Sequence, residues 1–516
     1  MVALGMLIGF RINDKTDAPL ITKVPRDSHV SIGRVEEILR FIEAKYVDTI
    51  DSEILVTEAI NAMLDRLDPH SIYLPPSALQ EENESMGGSF RGIGIESLMI
   101  NDTLNIMTTV KNGPADKAGL MQFDQIVVID DTIVAGVKKN FETIRTMLRK
   151  DGRNSVKIEL KRSGQNLIKI VNISDVALHS ADMGRMIMDS VGLIKIENFS
   201  ANTYKEFMET LEFLVEKKGM RHLVIDLRGN PGGYLPQATK ILNQLFKEKD
   251  RLLMYTKGRA SDVVSEYKSN GKTFFDIKKV FVLVDENSAS GSEIIAGVLQ
   301  DWDRAKIIGR RTYGKGLVQE QFDLSNGGAI RLTTARYYLA SGRSIQRPYE
   351  NHDTYYDEIN LRYKNGSLFK QDTAKGVDKK TYKTMVEGRV VYDGHGIDPD
   401  VFVPADSSEY AGSYYLLAPK TKEFIYKKLK AGKLIDKDIK SEQSLNSLVD
   451  AFVNENKSEF NKYKIRTPKG RDSIQLKKDI QETFLYISSN GDRNSAFPVS
   501  DYNDKFIDAV KKQFKK

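Results

Sequence analysis

A pair of helices is the first element that the hydrophobic pattern predicts. In residues 31–68, Val35 and Ile38 fall on one apolar stripe at helical spacing, and Ile60 and Leu64 fall on another. The segment "LDPHSIYLPP" then interrupts the pattern with three prolines. We therefore predict a helical hairpin with an exposed apolar face suited to packing or dimerisation.

The pattern then changes twice along the chain. Residues 87–163 carry short strands punctuated by glycine and one helical run, "NFETIRTMLRK", which predicts a small β-rich module. From 190 to 340, apolar strands such as "HLVIDL" and "KVFVLVDE" alternate with helices such as "SEIIAGVLQDW". That alternation predicts an α/β layer in which parallel strands dominate. Residues 405–516 are rich in lysine and helical in pattern, which predicts a solvated helical extension.

Composition narrows the class of protein. A chain of 516 residues is too long for one hydrophobic core, so several structural units are expected. The net charge of +6, from 77 basic and 71 acidic residues, does not support nucleic-acid binding. The lack of cysteine excludes disulfides and thiolate chemistry, and no two of the six histidines are spaced as a metal-binding pair. No cofactor or metal is therefore expected.

The first ten residues, "MVALGMLIGF", are apolar but too few to span a bilayer. We interpret residues 1–28 as the remnant of a signal or membrane anchor, which begins upstream of or within this segment, plus a linker. An ordinary buried N-terminal segment is the alternative. The first interpretation predicts an exported protein.

The stretch "NSASGSEIIAG" at 287–297 has two readings. Ser290 and Glu293 have the spacing of a helix capping box, in which each side chain accepts from the other residue's amide. Alternatively, a serine placed at the positive end of a helix is a candidate nucleophile.

A serine nucleophile needs a base and a site for the developing negative charge. No histidine lies near Ser290 in the sequence, but "TYGKGLVQ" supplies Lys315 between two glycines as a candidate base. Lysine serves as a base only if burial lowers its pKa from about 10.4 to about 7–8. The glycine-rich turn "DLRGNPGG" at 226–233 offers unobstructed amides suited to an oxyanion hole. Taken singly, each of these features also fits an ordinary turn.

Together these segments resemble the carboxyl-terminal processing peptidases, or tail-specific proteases, of Ser/Lys type. The resemblance covers most of residues 31–404 and rests on an ordered set of motifs: "LDPHSIYL", "FRGIGIES", "GPADKAGL", "LVIDLRGNPGG", "NSASGSEIIAGVLQD", "GRRTYGKGLVQ", "LTTARYYLASGRSIQ" and "GIDPDVFV". It implies that Ser290 is the nucleophile and Lys315 the base. Gln319 would orient the lysine, and Ser288 and Ser292 would be supporting residues.

The resemblance also implies further site residues. The oxyanion hole would combine the amide of Gly291 with one from Gly232 or Gly233, and Asp301 matches an acidic position linked to activity in some members. A PDZ domain would receive a substrate's terminal carboxylate on the amides of Gly92, Ile93 and Gly94. The family usually has glycine where this chain has Phe123, so a turn with positive φ would be strained there.

The implied fold is α/β, with a crotonase-like protease core and an inserted PDZ domain between helical extensions. The expected segments are 1–28, a helical region at 29–86, the PDZ domain at 87–164, the core at 165–404 and a helical extension at 405–516.

The implied function is a serine endopeptidase that cleaves proteins at or near unstructured C-terminal tails. Its partners would be protein or peptide substrates and a second copy bound through the N- or C-terminal helices. Its location would be the periplasm or the outer face of a bacterial inner membrane. Two alternatives remain: a catalytically silent PDZ-containing adaptor or chaperone, and an acyl transferase of the crotonase-like architecture. The intact Ser290–Lys315–Gln319 set argues against the adaptor, and the PDZ-like insert argues against the transferase.

Overall fold

The structure is a computed structural model that describes residues 33–149, 152–181, 184–259, 264–371, 380–405, 413–469, 471–492, 495, 499 and 504–515. The predicted signal or anchor segment at 1–28 lies outside these ranges. Among the described residues, no helix is long and apolar enough to cross a membrane.

The elements confirm a mixed α/β chain. The helices are α1 Gly33–Lys45, α2 Ser52–Leu64, α3 Pro76–Gly87, α4 Pro114–Lys117, α5 Phe141–Arg149, α6 Thr203–Glu212 (continued by a π turn, Phe213–Lys217), α7 Leu235–Asn243, α8 Gly291–Asp301, α9 His352–Tyr356, α10 Glu358–Lys364, α11 Ser413–Lys430, α12 Glu442–Glu455, α13 Lys457–Lys462, α14 Arg471–Ser488 and α15 Lys505–Phe514, with a 3-10 turn at Asp436–Ile439.

The strands are β1 Ile72–Leu74, β2 Ser89–Gly92, β3 Ile95–Ile100, β4 Thr103–Thr109, β5 Gln125–Ile129, β6 Thr132–Ile133, β7 Ser155–Arg162, β8 Gln165–Asn172, β9 Ser174–Ala177, β10 Arg185–Met188, β11 Val191–Lys195, β12 His222–Asp226, β13 Lys249–Gly258, β14 Val264–Asn270, β15 Val280–Val284, β16 Ala305–Gly309, β17 Leu317–Asp323, β18 Ala329–Leu339, β19 Thr381–Lys383, β20 Val390–Tyr392 and β21 Val401–Phe402.

The described residues from Gly33 to Arg66 belong to a compact unit of their own. It contains α1 and α2, the two helices that the apolar stripes predict. Asp51 caps α2 by accepting from the amides of Glu53 and Ile54. The stripe residues Val35 and Ile38 remain exposed.

The second unit, Leu67 to Lys516, is organised around a six-stranded sheet in the order β10-β11-β12-β15-β16-β21. The strands from β11 to β21 pair in parallel, and β10 pairs antiparallel at one edge. Helices α6, α7 and α8 cover one face with a continuous apolar core that includes Phe207, Ile241 and Ile295. The carboxyl ends of β12, β15 and β16 therefore lie next to one another, where ligands and catalytic loops usually gather.

A second sheet, which the sequence analysis did not predict, is antiparallel. Its order is β1-β18-β13-β14, with β17 also paired to β18. The long strand β18 pairs with β1 near its start and with β13 near its end, and so joins segments that are far apart in the sequence. Strand β1, the end of the "LDPHSIYL" motif, and strand β17, which follows Lys315, both pair with β18.

The region predicted as a β-rich module forms a six-stranded sheet of β3, β4, β5, β7 and β8, with β6 paired to β5. Its core includes Ile106, Ile126 and Ile158 and is separate from that of the parallel sheet. Phe123 adopts a φ of +73°, so this position has the strained conformation that glycine would adopt freely. Its ring packs 5.2 Å from that of Tyr426 on α11.

The lysine-rich C-terminal region is helical, as predicted, but not merely solvated. Helices α11, α12 and α14 bury a cluster that includes Phe424, Phe452 and Phe484, and this cluster also contains Ile100 and Met107 of the β-rich module. The last helix, α15, buries apolar residues against the face of the parallel sheet opposite α8. The sequence showed the periodicity, but the partner surfaces come from distant parts of the chain.

Candidate active site

The nucleophile candidate lies in the turn between β15 and α8. Ser290 is the N-cap residue of α8, and its backbone has φ 52° and ψ −113°, a conformation that non-glycine residues rarely adopt. Strain of this kind is characteristic of functional sites and of strand-to-helix turns that present a nucleophile. The turn thus presents Ser290 at the amino end of a helix, where amides and the helix dipole favour negative charge.

The three serines of this turn have different environments. Ser288 is fully buried, and its hydroxyl donates to the Leu227 carbonyl at 2.8 Å. Ser292 is also fully buried and donates to the Asn230 carbonyl at 3.0 Å. Ser290 is partly exposed. The two flanking serines fasten the turn to the loop after β12, which leaves Ser290 as the serine that a substrate can reach.

Glu293 connects the nucleophile turn to the lysine loop. Its buried carboxylate accepts from the Ser290 amide at 2.9 Å and the Lys315 amide at 2.8 Å, both on Oε2. Oε1 accepts from the Thr312 hydroxyl at 2.5 Å and the Gly314 amide at 2.7 Å. Burial raises the pKa of Glu293 to about 7, against the opposing effect of these four donors. Because two amides share one oxygen, the backbones of Ser290 and Lys315 are held side by side.

The Lys315 amine is in the environment that a general base requires. Burial, reinforced by the positive charge of Arg331, lowers the pKa of Lys315, while Asp68 and Glu293 act in the opposite direction. Lys315 Nζ donates to Gln319 Oε1 at 2.9 Å. The sequence-based requirement of a lowered lysine pKa therefore agrees in direction with the structure.

The "LDPHSIYL" segment forms a hydrogen bond with Gln319. The Gln319 amide group donates to the His70 carbonyl. Asp68 is buried and accepts from the amides of His70 and Ser71 at 2.8 and 3.0 Å, which fixes this turn. The His70 ring bonds the Tyr355 hydroxyl at 2.7 Å, and burial together with the charge of Lys315 lowers the pKa of His70 to about 4. His70 is therefore neutral at physiological pH.

The glycine-rich loop after β12 packs directly against the nucleophile. Gly232 has a φ of +98°, and a Cβ there would lie 2.7 Å from Ser290 Cβ, so no side chain fits. The Gly232 amide donates to Asn230 Oδ1 at 2.8 Å. Gly233 lies opposite Phe199 in an isolated parallel bridge. The two hydrogen bonds of this bridge run from the Phe199 amide to the Gly232 carbonyl and from the Tyr234 amide to the Phe199 carbonyl, so the Gly233 amide takes no part in it.

Of the two candidate glycines, Gly233 therefore has the amide better suited to an oxyanion. The second candidate donor, the Gly291 amide, belongs to the first residue of α8 and follows Ser290 directly. The ring of buried Phe199 lies close to Gly291, because a Cβ there would be 3.1 Å from its Cδ2 atom.

Asp301 does not join this group. It is the last residue of α8, 11 positions after Ser290 and therefore about 16 Å away at a rise of about 1.5 Å per residue. Its buried carboxylate forms an ion pair with Arg343 at 2.8 Å and accepts from the Ser341 amide at 3.0 Å. Asp301 therefore fastens the turn after β18 to the helix.

The three residues expected to bind a terminal carboxylate lie in the β-rich module. Gly92, Ile93 and Gly94 line a cavity of about 310 Å³ between β3 and α5, together with the apolar side chains of Leu98 and Leu148. Strand β3 is at the edge of its sheet, so it offers unpaired backbone groups along the cavity.

Among the residues that the structure describes, no group of three or more histidine or carboxylate side chains is arranged to hold a metal ion. Sequence reasoning treated Glu293 only as a capping partner and gave His70 no role. His70 does lie in the "LDPHSIYL" motif, but no local pattern could reveal the hydrogen bond from Gln319 to its carbonyl, because the two residues are 249 positions apart.

Comparisons with known proteins identify the family that the chain resembles. The sequence model of peptidase family S41 matches residues 190–354. A carboxy-terminal-processing protease of Bartonella bacilliformis is 33% identical over 333 residues, which cover 63% of this chain and 75% of the relative. The carboxy-terminal processing protease CtpB of Bacillus subtilis is 31% identical over 338 residues, covering 64% of this chain and 68% of the relative.

Proposed function

Because the chain belongs to the carboxy-terminal processing proteases of peptidase family S41, which are serine-type peptidases, we propose that Ser290 is its nucleophile and Lys315 its general base. Gln319 orients the lysine amine. The substrates are proteins, cleaved at or near unstructured C-terminal tails.

One observation carries this assignment. A single oxygen of Glu293 accepts hydrogen bonds from the amides of both Ser290 and Lys315. Nothing in a structural turn requires two loops to be tied in this way, whereas a Ser/Lys pair requires fixed registration of the two side chains. The strained backbone of Ser290 and the lowered pKa of Lys315 point to the same pair.

The reaction proceeds by acyl transfer. Neutral Lys315 Nζ takes the proton of the Ser290 hydroxyl as its oxygen attacks the scissile carbonyl carbon. The amides of Gly291 and Gly233 donate to the oxyanion of the tetrahedral intermediate. The lysine ammonium then protonates the leaving amine, the C–N bond breaks, and water activated by the regenerated amine hydrolyses the ester on Ser290.

Substrate capture occurs in the β-rich module, which we assign as a PDZ domain at 87–164 inserted before a crotonase-like core at 165–404. An extended tail adds as a strand to the free edge of β3, and its terminal carboxylate reaches the amides of Gly92, Ile93 and Gly94. The edge position of β3 and the apolar cavity beside it support this mode. An apolar terminal residue fits between the side chains of Leu98 and Leu148.

The protein acts outside the cytoplasm, in the periplasm or on the outer face of a bacterial inner membrane. The apolar stretch at the start of the sequence supports this location. Fractionation of cells that express the native gene product, with immunodetection in the periplasmic and membrane fractions, tests it.

The activity test uses pairs of model proteins that differ only in their last few residues. Wild type and Ser290→Ala are incubated with each pair, and the products are identified by mass spectrometry. We expect cleavage of the protein with an apolar tail by wild type only. Cleavage by Ser290→Ala would contradict the nucleophile, and equal cleavage of both tails would contradict capture through the terminus.

A further inference from the structure

The last helix, α15, runs across the parallel sheet from one end of its strands to the other. Near its start, Phe506 packs at the carboxyl end of β16, where a Cβ on Gly309 would lie 2.9 Å from its ring. At its end, the Phe514 ring lies 5.0 Å from that of His222 and 5.4 Å from that of Phe281. Those two residues belong to the amino-terminal ends of β12 and β15. Phe506 therefore lies at the carboxyl ends of the strands, next to the candidate active site, and Phe514 lies at their amino ends.

The start of α15 holds the loop that carries the oxyanion glycines. Arg228, two residues after β12, donates to Asp226 at 2.8 and 2.6 Å and to Asp504 at 2.8 Å. Its guanidinium also lies 4.6 Å from the centre of the Phe506 ring. Burial alone would raise the pKa of Asp226, but the charge and hydrogen bonds of Arg228 outweigh it and hold that pKa below its usual value. The loop is thus anchored by an ion-paired guanidinium that α15 covers.

The same aromatic ring reaches the other two catalytic loops. Arg310 follows β16, in the loop that leads to Lys315, and its guanidinium lies 5.3 Å from the centre of the Phe506 ring. Arg310 forms a buried ion pair with Glu286 at 2.6 Å, and Glu286 lies in the turn that leads to Ser290. One phenyl ring therefore touches cations that anchor the oxyanion loop and the lysine loop, and through Glu286 it supports the nucleophile turn.

We infer that Phe506 and Asp504 are positioning residues for the peptidase reaction, and we call this pair the brace. The inference rests on the proposed function of Ser290, Lys315 and the glycine loop. Loops at the carboxyl ends of strands move unless they are packed, and an oxyanion donor displaced by a fraction of an ångström loses much of its effect. The brace keeps the three loops in register without touching the substrate.

The chain offers a matched control on the same helix. Phe506→Leu keeps apolar bulk but removes the ring beneath both guanidiniums. Phe514→Leu makes the same change at the amino ends of the strands, where Lys279 Nζ lies 5.0 Å from the centre of the Phe514 ring. Both variants weaken the docking of α15, so the melting temperatures of the intact proteins are measured first. The two variants disturb opposite ends of the parallel strands.

We expect Phe506→Leu to lower kcat roughly tenfold with KM within twofold of wild type, because cation–π and positioning effects of this size are typical. Phe514→Leu keeps kcat within twofold. Asp504→Asn separates charge from helix capping, since asparagine caps equally well, and Asp504 accepts from the amides of Phe506 and Ile507. It lowers kcat roughly fivefold, whereas Asp508→Asn on the exposed side of α15 does not.

A second readout is specific to the oxyanion hole. The affinity of a peptide boronic acid, which forms a tetrahedral adduct on the serine, falls in Phe506→Leu by the factor lost in kcat, while the affinity of the product peptide is unchanged. Equal kcat losses in Phe506→Leu and Phe514→Leu, or an unchanged kcat in both Phe506→Leu and Asp504→Asn, overturn the brace. Activity in Ser290→Ala instead overturns the proposed nucleophile, so the two failures are distinguishable.

Discussion

Replacing Glu293 by glutamine tests the connection between the nucleophile and the base. The carboxylate accepts four hydrogen bonds, two on each oxygen, from the Ser290, Gly314 and Lys315 amides and the Thr312 hydroxyl. Glutamine keeps the shape but has one acceptor oxygen, so its NH₂ group must face two donors. A hydrogen bond to a charged group contributes about 1.5–3 kcal/mol, and two are lost.

Part of that free energy is recovered by relaxation, and we expect a net loss of about 3 kcal/mol of transition-state stabilisation in Glu293→Gln. That corresponds to a roughly 100-fold fall in kcat, at about 1.4 kcal/mol per tenfold change. The assay is cleavage of a tail-bearing protein at saturating concentration. Asp301→Asn is the matched control, since it alters a buried carboxylate at the other end of α8. It should lower the melting temperature and leave kcat within a few-fold of wild type.

The pH dependence sharpens the same test. The folded pKa of Glu293 is about 7 and the unfolded value is 4.5, so the folded protein binds this proton more tightly. The contribution of this group to stability is therefore complete below pH 4.5 and falls by about 3 kcal/mol as the pH rises to 7. Wild-type kcat should rise over the upper part of this range as the four donors gain a charged acceptor. A Glu293→Gln variant with wild-type kcat and an unchanged acid limb would refute the reasoning.

Three further variants test other parts of the site. Ser288→Ala should lower the free energy of unfolding by about 1–3 kcal/mol in denaturant titrations, because the Asp285 amide loses its acceptor and the Leu227 carbonyl loses one of its two donors, yet it should retain cleavage; a folded but inactive variant would point to Ser288 rather than Ser290 as the nucleophile. Gln319→Glu should move the ascending limb of the pH–rate profile, where Lys315 loses its proton, to higher pH, because a carboxylate favours the charged form of the lysine; an unmoved limb would contradict a role of Gln319 beside the base. Phe123→Gly should relieve backbone strain but lose the contact with Tyr426, for a net loss of about 1–2 kcal/mol in unfolding free energy; a more stable variant would show that the strain is uncompensated.

Local patterns made Ser290, Lys315 and the glycine loop visible in the sequence. Each lies between a predicted strand and a predicted helix or next strand, and chain order alone aligns the ends of parallel strands. The alternation of apolar strands and helices therefore predicted the α/β layer correctly. It could not predict the antiparallel sheet, because the pairing of β1 with β18 joins positions more than 250 residues apart.

The contacts between α15 and the loops of the site could not be predicted from the sequence for the same reason. Asp504 and Phe506 lie in a stretch whose pattern predicts an ordinary amphipathic helix. Their proposed positioning role depends on contacts with Arg228 and Arg310, which are distant in the sequence. Phe123 was the informative exception. Its departure from glycine signalled strain in the sequence, and the structure supplies the packing against Tyr426 that offsets it.

In the proposed Ser290–Lys315 pair, the neutrality of Gln319 would help the lysine to serve as the base. In a serine–histidine–aspartate triad, the carboxylate stabilises the positive charge that the histidine acquires during reaction. A carboxylate bonded to Lys315 Nζ would instead stabilise the charge already present and raise its pKa, so fewer molecules would hold a free amine. The carboxamide of Gln319 accepts at 2.9 Å and fixes the direction of Nζ without adding a negative charge. Glu293 is close enough to raise the lysine pKa, yet its oxygens are occupied by backbone and hydroxyl donors, so burial remains the larger effect.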